Sequence, residues 1–256
     1  MSDLPVTMPE GYRLARFEVI DSTNSEAMRR ARDGEPAGLW IWAASQMAGR
    51  GRSGREWVSM PGNLFASLLL RPRCPLETAM QLSLVAGVAL HQTVSELAGK
   101  QVSSGELALK WPNDLLLSGK KIGGILLESF DSVPEKGCSV VIGTGLNIAS
   151  HPSDTLYPAA DLGGYGVRPA PLTVLEHLAE ATNRWLEVWA EGTGFDAIRE
   201  AWLACSIPVG RSVRIKLETG ELTGAYAGID ETGSMRLIDE EGAEMRITAG
   251  DVFLTS

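Results

Sequence analysis

Gly49-Arg-Gly-Arg-Ser-Gly-Arg55 is the stretch of sequence that decides the fold class. Its glycines match the G-x-G-x-x-G pattern of dinucleotide-binding Rossmann folds. In those folds the loop opens a helix whose amino terminus receives the pyrophosphate. Here Glu56-Trp-Val-Ser-Met-Pro-Gly62 leads instead into an apolar strand predicted over residues 63–70. The context therefore argues against a Rossmann domain.

The spacer residues Arg50, Arg52 and Arg55 give this loop a chemistry of its own. Planar guanidinium groups can chelate phosphate or carboxylate oxygens bidentately, and glycines allow the backbone to approach a ligand closely. A flexible, solvated loop is the commoner fate of such a cluster. We favour an anion-binding loop because other motifs in the chain converge on the same chemistry.

The chain as a whole is acidic, with a formal net charge of -9 over 256 residues. General nucleic-acid affinity is not expected, because phosphate neutralisation needs a positive surface. Arg50, Arg52, Arg55, Arg71 and Arg73 nevertheless place five of the 23 basic residues in one short stretch. Any anion site must therefore be local.

The sequence also bears on the cellular compartment. The longest apolar runs, 64–70 and 82–90, are far shorter than the roughly 20 residues needed to span a bilayer, and the amino terminus lacks the pattern of a secretory signal. Cys74, Cys138 and Cys205 fit neither a disulfide framework nor a Cys-x-x-Cys zinc site. We expect a cytoplasmic protein with reduced thiols, no membrane contact and no metal bound by protein ligands alone.

A second candidate motif is Lys110-Trp-Pro-Asn-Asp114, which places a cation, an aromatic ring, an amide and a carboxylate within five residues. A nucleotide could use all four groups: the lysine for phosphate, the indole for a ring face, the amide for hydrogen bonding, and Asp114 for a metal ion or ribose. Taken alone, a proline-broken strand end with an Asn-Asp turn is the simpler interpretation.

Three further motifs add small residues and polar groups. Lys121-Ile-Gly-Gly124 follows a turn and enters a strand of minimal bulk, on which a ligand could lie; a lysine in a turn otherwise only adds solubility. Gly143-Thr-Gly-Leu-Asn147 ends an apolar strand and would fit a strand edge that opens onto a ligand. A strand end weakened by glycines, with Asn147 in a turn, is the simpler interpretation. Ser22-Thr-Asn24 fits a helix cap, with a capping box at Thr23 and Glu26, and such a cap also gathers groups that can bind a ligand.

Periodicity predicts an α+β protein with a mixed sheet, packed helices and a small terminal barrel. Predicted strands before Cys205 cover 13–20, 39–45, 63–70, 107–111, 114–117, 122–130 and 139–147; predicted helices cover 27–32, 78–97, 173–190 and 195–205. Short strands over 212–218, 221–229, 234–238 and 244–247, separated by hairpin turns, predict an antiparallel barrel of SH3-like size. We place domains at 1–205 and 206–256.

Taken in order, the motifs resemble those of biotin protein ligases, over roughly residues 12–150. The resemblance implies the class II synthetase-like fold shared by lipoate and biotin ligases. It also implies a reaction in which the biotin carboxylate attacks the α-phosphate of magnesium-bound ATP, giving biotinyl-5'-adenylate and pyrophosphate. A lysine of a biotin carboxyl carrier domain, such as that of acetyl-CoA carboxylase, then attacks the mixed anhydride.

The resemblance also implies roles for individual residues. Positions matching biotin contacts are Ser22, Thr23, Gln46, Gly49, Arg50, Gly124, Gly143 and Gly145; positions matching contacts around the adenylate are Arg52, Trp57, Asn113, Asp114 and Asn147. Asn24 and Arg55 complete the expected cofactor-binding set. Lys121 matches the family's key lysine, which would bridge the biotin carboxylate and the α-phosphate, while Lys110 assists with phosphate. Lys121, Arg52, Lys110 and Asp114 thus form the expected catalytic set. The loop should close over the adenylate, its arginines becoming ordered only with ligand.

Some features depart from the family pattern or stay open. Ser53 interrupts the arginine run often seen in the loop, and the terminus after Phe253 ends without a basic residue. Only 21 residues precede Ser22, too few for the DNA-binding domain of bifunctional relatives, so we expect a single-function ligase. A lipoate or octanoate ligase or transferase and a nonenzymatic biotin or nucleotide sensor remain alternatives. The resemblance allows either a monomer or a homodimer.

Overall fold

In a computed structural model of the protein, residues 6–103, 105–133, 137–153 and 155–255 are described. The strands are β1 Arg13–Ile20, β2 Leu39–Gln46, β3 Leu64–Leu70, β4 Leu107–Lys110, β5 Asp114–Leu117, β6 Lys120–Val133, β7 Gly137–Leu146, β8 Ser212–Leu217, β9 Gly220–Ile229, β10 Met235–Ile238, β11 Glu244–Ile247 and β12 Asp251–Leu254. The α-helices are α1 Thr23–Arg32, α2 Leu76–Ala79, α3 Leu82–Ala98, α4 Pro171–Trp189 and α5 Phe195–Cys205.

Strands β1 to β7 form one mixed sheet in the order β1-β2-β3-β7-β6-β5-β4. Only β1 and β2 are parallel; the other neighbours in this sheet pair in antiparallel fashion. Within β2, Trp40 and Trp42 join the large core beneath α3, whereas Leu39 and Ile41 pack with α1 on the opposite face. Helices therefore cover both faces, which explains why the strands are apolar without alternation.

Strands β8 to β12 form a second, antiparallel sheet in the order β11-β10-β9-β8-β12. It is joined to the first sheet where Ile207 N donates to Leu109 O at 2.9 Å and the indole of Trp111 donates to Gly233 O at 3.0 Å. The predicted fold class, a mixed sheet with packed helices plus a small SH3-like terminal module, is confirmed.

Two sequence-based details are wrong, and one strand was not predicted. The predicted helix 78–97 is divided, because Gln81 N bonds to Thr78 O, three residues back, and the helical ladder shifts there. The helix cap is Ser22, whose hydroxyl accepts from Ser25 N, rather than a box at Thr23. Strand β12 was not predicted, since it is defined by its pairing with the distant strand β8.

The described segments contain no helix both long and apolar enough to cross a membrane.

Candidate active site

A cavity of about 360 Å³ lies where helix α1, the loop 49–55, strands β5 to β7 and strand β12 meet. Sixteen predicted site residues line it: Ser22, Thr23, Asn24, Gln46, Arg50, Arg52, Arg55, Trp57, Lys110, Asn113, Asp114, Lys121, Gly124, Gly143, Gly145 and Asn147. Gly49 does not line it. That glycine instead underlies the loop, where a Cβ atom would come within 2.6 Å of Trp57 O.

One end of the cavity is built from neutral polar groups at the start of α1. Gln46 Oε1 accepts hydrogen bonds from Thr23 N at 2.9 Å and Thr23 Oγ1 at 3.1 Å. Ser67 Oγ lies 2.7 Å from Thr23 Oγ1 and 2.5 Å from Asn24 Oδ1. Thr23, Asn24 and Ser67 are almost fully buried, and each has hydrogen-bond partners, so their burial costs little and the partners fix their orientation.

The network continues to the loop through a carboxylate. Asn24 Nδ2 donates to Glu128 Oε2 at 2.7 Å, and Glu128 in turn pairs with Arg50 at 3.4 Å. Arg50 also donates to Ser25 Oγ at 2.8 Å. The polar end therefore connects helix α1, strand β6 and the first arginine of the loop.

The other end of the cavity is cationic. Asp114 lies between two lysines, with its carboxylate oxygens 2.9 Å from Lys110 Nζ and 2.5 Å from Lys121 Nζ. Lys110 is buried and also donates to Val252 O at 2.6 Å, whereas the Lys121 side chain keeps 25% exposure. Lys121 thus lies in strand β6 and not in the turn predicted from the sequence. Its neighbour Lys120 is the first residue of the same strand and is exposed.

The neighbouring lysines keep the Asp114 carboxylate ionised despite its burial. Burial alone would raise the pKa of Asp114, but the ammonium groups of Lys110 and Lys121 lower that pKa to about 2. Burial lowers the pKa of Lys110, and the Asp114 carboxylate opposes that shift. Lys121 is the more exposed of the two lysines.

Two loop arginines reach the terminal sheet. Arg55 pairs with Asp251 at 2.8 Å, and Arg52 donates to Gly250 O at 3.2 Å. Burial lowers the pKa of Arg52, although a guanidinium stays charged at any physiological pH. Both side chains have protein partners here, and their ordering by ligand stays a prediction. Strand β12 is therefore part of the cavity wall.

The indole ring of Trp57 packs against two strand glycines that line the cavity, Gly124 and Gly145. A Cβ atom on Gly145 would come within 2.5 Å of the Trp57 ring, and one on Gly124 within 3.2 Å. Lys121 Nζ lies 5.6 Å from the centre of that ring. The close approach of this ring therefore requires a glycine at position 145, whereas the contact of a ligand with these strand glycines stays a prediction.

Replacing Gly143 with alanine should weaken biotin binding by at least about tenfold. The new methyl group would lie 2.2 Å from Asn24 Oδ1 and would displace the side chain that joins Ser67 to Glu128. Calorimetric titration with biotin measures the effect. Gly164→Ala is the matched control, since its methyl group would meet only an ordinary contact at 3.7 Å; equal affinities in both variants would contradict the prediction.

Three predicted nucleotide contacts have structural partners. Asn113 Nδ2 donates to Ile125 O, and Asn147 Nδ2 donates to Ala160 O at 3.0 Å. Trp111 is buried, donates to Gly233 O of the terminal sheet and also lines the cavity, so a stacking role for its ring stays a prediction. Asp114 uses both carboxylate oxygens on lysines, which leaves it poorly placed as a metal ligand.

Sequence reasoning missed five residues of the site: Ser67, Glu128, Tyr157, Asp251 and Val252. Ser67 and Glu128 carried a weak signal, because each is a polar residue in an apolar strand. Tyr157 and strand β12 lie in no motif, and Val252 acts through its carbonyl oxygen, which no side-chain pattern reveals.

The residues lining the cavity make it a site for anions. Arg50, Arg52, Arg55, Lys110 and Lys121 face three lining carboxylates, Glu56, Asp114 and Asp251. This local surplus of two positive charges contrasts with the net charge of -9 for the chain. Across the described residues, no group of three or more histidine, cysteine or acidic side chains could hold a metal ion.

Family models cover most of the chain. The biotin/lipoate A/B protein ligase family matches residues 16–147, and the biotin protein ligase C-terminal domain matches residues 209–255. A biotin–acetyl-CoA-carboxylase ligase of Paracoccus denitrificans is 39% identical over 91% of this chain and 97% of its own length. The bifunctional ligase/repressor BirA of Bacillus subtilis is 33% identical over 95% of this chain and 74% of its own.

Solved structures agree with the sequence relatives. The biotin protein ligase of Aquifex aeolicus in complex with biotin and ATP superposes with a TM-score of 0.78 at 27% identity. That match covers 95% of this chain and 98% of the other.

Proposed function

The chain belongs to the biotin/lipoate A/B protein ligase family, and from this premise we infer how its cavity activates and transfers biotin. It is an ATP-dependent biotin protein ligase that forms biotinyl-5'-adenylate and passes the biotinyl group to a carrier lysine. The observation that best supports this function is the arrangement of Lys110, Asp114 and Lys121 beside an arginine loop and a glycine-lined channel.

We propose that biotin lies in the glycine-lined channel with its ring system at the polar end and its carboxylate near Lys121. Gly143 and Gly145 line the cavity between its two ends, where Asn24 packs against Gly143 and Trp57 packs against Gly145. Thr23 and Gln46 offer neutral hydrogen-bonding groups at the far end. The uncharged ring system of biotin, with its polar edges, fits the neutral polar end of the cavity. The biotin carboxylate fits the cationic end.

The proposed activation step needs positioning and charge neutralisation rather than a protein nucleophile. The biotin carboxylate oxygen forms a bond to the α-phosphorus of ATP, and the bond to the pyrophosphate oxygen breaks. Lys121 stabilises the charge that accumulates between carboxylate and α-phosphate, while Lys110, Arg52 and Arg55 attract the phosphates. Asp114 holds both lysines in place because its low pKa keeps it ionised.

The second proposed step consumes the mixed anhydride. A neutral lysine amine of the acceptor attacks the biotinyl carbonyl, an amide forms, and AMP leaves with the bonding electron pair. The acceptor is a biotin carboxyl carrier domain, as the name of the Paracoccus relative implies for that protein. Closure of the loop 49–55 would keep water from the anhydride before the acceptor arrives.

Magnesium is proposed to enter with ATP. Mg²⁺ usually keeps several waters and binds nucleotide phosphates together with few protein oxygens. This fits the site, because Asp114 is engaged by two lysines and the described residues lack a three-ligand acidic cluster. Lys110, Lys121 and the loop arginines would then share the phosphate charge with the ion.

We further propose a catalytic domain at 1–205, an SH3-like domain at 206–256, and a cytoplasmic enzyme that acts as a monomer or homodimer without nucleic acid. The net charge of -9 supports the last point. Helix α5 ends at Cys205 and strand β8 starts at Ser212, which is consistent with that boundary.

The test is pyrophosphate release from magnesium-ATP by the purified protein, with biotin, lipoate, octanoate or no acid. We expect release with biotin alone, followed by labelling of a carrier domain. Release with lipoate or octanoate instead would indicate the related acyl ligases. Tight biotin binding with no release would indicate a sensor.

A further inference from the structure

Tyr157 lies in none of the sequence motifs, yet it contacts three cationic side chains of the cavity. Lys110 Nζ lies 4.3 Å from the centre of its ring, and Lys121 Nζ lies 6.0 Å from it. Arg55 donates to its hydroxyl at 3.4 Å. A half-buried aromatic face attracts a cation most strongly where water is excluded, and Lys110 is buried.

The backbone around Tyr157 is fixed to the strand that carries Lys121. Lys121 N donates to Pro158 O at 2.8 Å, and Ala160 N donates to Lys121 O at 3.0 Å. These two bonds form a short parallel bridge between Lys121 and Ala159. The position of the ring is therefore set by the same strand that positions the lysine.

The Tyr157 ring is also in contact with the terminal sheet. Tyr157 and Phe253 are stacked, with ring centres 4.7 Å apart and planes inclined by 22°. Arg214 of strand β8 lies 4.6 Å from the Phe253 ring centre. Lys110, Tyr157, Phe253 and Arg214 thus form one continuous cation–aromatic stack, from the buried site to the surface of the terminal sheet.

We propose that Tyr157 is a positioning residue for the adenylation reaction, and that its ring holds Lys110 where ATP phosphate binds. Phe253 supports the ring from the terminal sheet, so both sheets contribute to the placement of this lysine. The inference rests on the proposed function only for the identity of the reaction. The ring acts through Lys110 and is not assigned a contact with substrate.

The test compares Tyr157→Phe with Tyr157→Leu in the full-length protein, using biotin-dependent pyrophosphate release. Phenylalanine keeps the ring and loses only the hydroxyl, so KM for ATP should stay within about twofold of the wild type. Leucine removes the aromatic face, so KM for ATP should rise by at least about tenfold while KM for biotin stays within about twofold. Tyr165→Leu is the matched control, since it removes a tyrosine of the same connecting segment outside the cavity lining.

Each result decides the proposal. An unchanged KM for ATP in Tyr157→Leu, an equal loss in the phenylalanine variant, or parallel rises in both Michaelis constants would overturn it. If Tyr157→Leu does not fold, Phe253→Leu replaces it, and a rise in KM for ATP of at least about threefold is expected; no rise there would also overturn it. Absence of biotin-dependent release in the wild type would overturn the proposed function instead, and direct ATP titration of the same variants would then test the role of the ring.

Discussion

Replacing Lys121 with alanine is expected to reduce biotin-dependent pyrophosphate release by at least about 100-fold, the usual cost of removing one preorganised group that stabilises transition-state charge. Lys121 is the exposed member of the triad and lies near Trp57, at the junction of the two ends of the cavity. The free energy of unfolding should change by less than about 2 kcal/mol, because Asp114 retains Lys110 as a partner. Quenched-flow or coupled pyrophosphate assays and chemical denaturation measure the two quantities.

Lys120→Ala is the matched control for that prediction. Lys120 is the adjacent lysine in the sequence, and it is exposed. Its variant should keep pyrophosphate release within about twofold of the wild type, since an exposed surface substitution changes little. Normal release by Lys121→Ala would rule out the role assigned to this lysine.

Replacing Asp114 with alanine is expected to lower the free energy of unfolding by about 3–5 kcal/mol, because it leaves the ammonium of Lys110 buried without its counter-ion. Among the described residues, Lys110 would keep Val252 O and the Tyr157 ring as direct partners. Its pKa, already lowered by burial, would fall further once the carboxylate is gone. Urea denaturation at neutral pH measures the loss.

A double variant, Asp114→Leu with Lys110→Met, separates a missing charge from a missing contact. Replacing both members of a buried pair by apolar groups of similar volume is often neutral or stabilising. The double variant should therefore recover most of the stability lost in Asp114→Ala, although it should not recover pyrophosphate release. A double variant as unstable as the single one would show that packing, not charge, accounts for the loss.

The sequence predicted the fold class well because its strands and helices carry strong local signals. Strands β1 and β11 and helix α5 were predicted with the observed bounds. The break before α3 was not predictable, since a single shifted hydrogen bond leaves the apolar periodicity intact. Strand β12 was missed because its pairing with β8, about 40 residues earlier in the chain, defines it.

The site was predictable where it consists of local motifs and unpredictable where distant residues meet. The glycines, the lysines and the loop arginines stood out by composition and spacing. Glu128 and Asp251 could not be paired with Arg50 and Arg55 from the sequence, because those ion pairs join residues far apart in the chain. The side chains of Asn113 and Asn147 donate to backbone carbonyls. Because a side-chain pattern does not reveal such acceptors, these hydrogen bonds could not be predicted from the sequence either.

Strand β12 and the residue before it meet the site partly through the main chain, at Val252 O and Gly250 O. A carbonyl oxygen is present whatever side chain the residue carries. The hydrogen bond to Val252 O is thus insensitive to the side chain at that position, whereas at Gly250 a Cβ atom would come within 2.8 Å of Ile215. Substitution scanning of Val252 would underestimate its importance to the site, whereas shortening the chain before Gly250 would remove both acceptors at once and leave Lys110 and Arg52 without them.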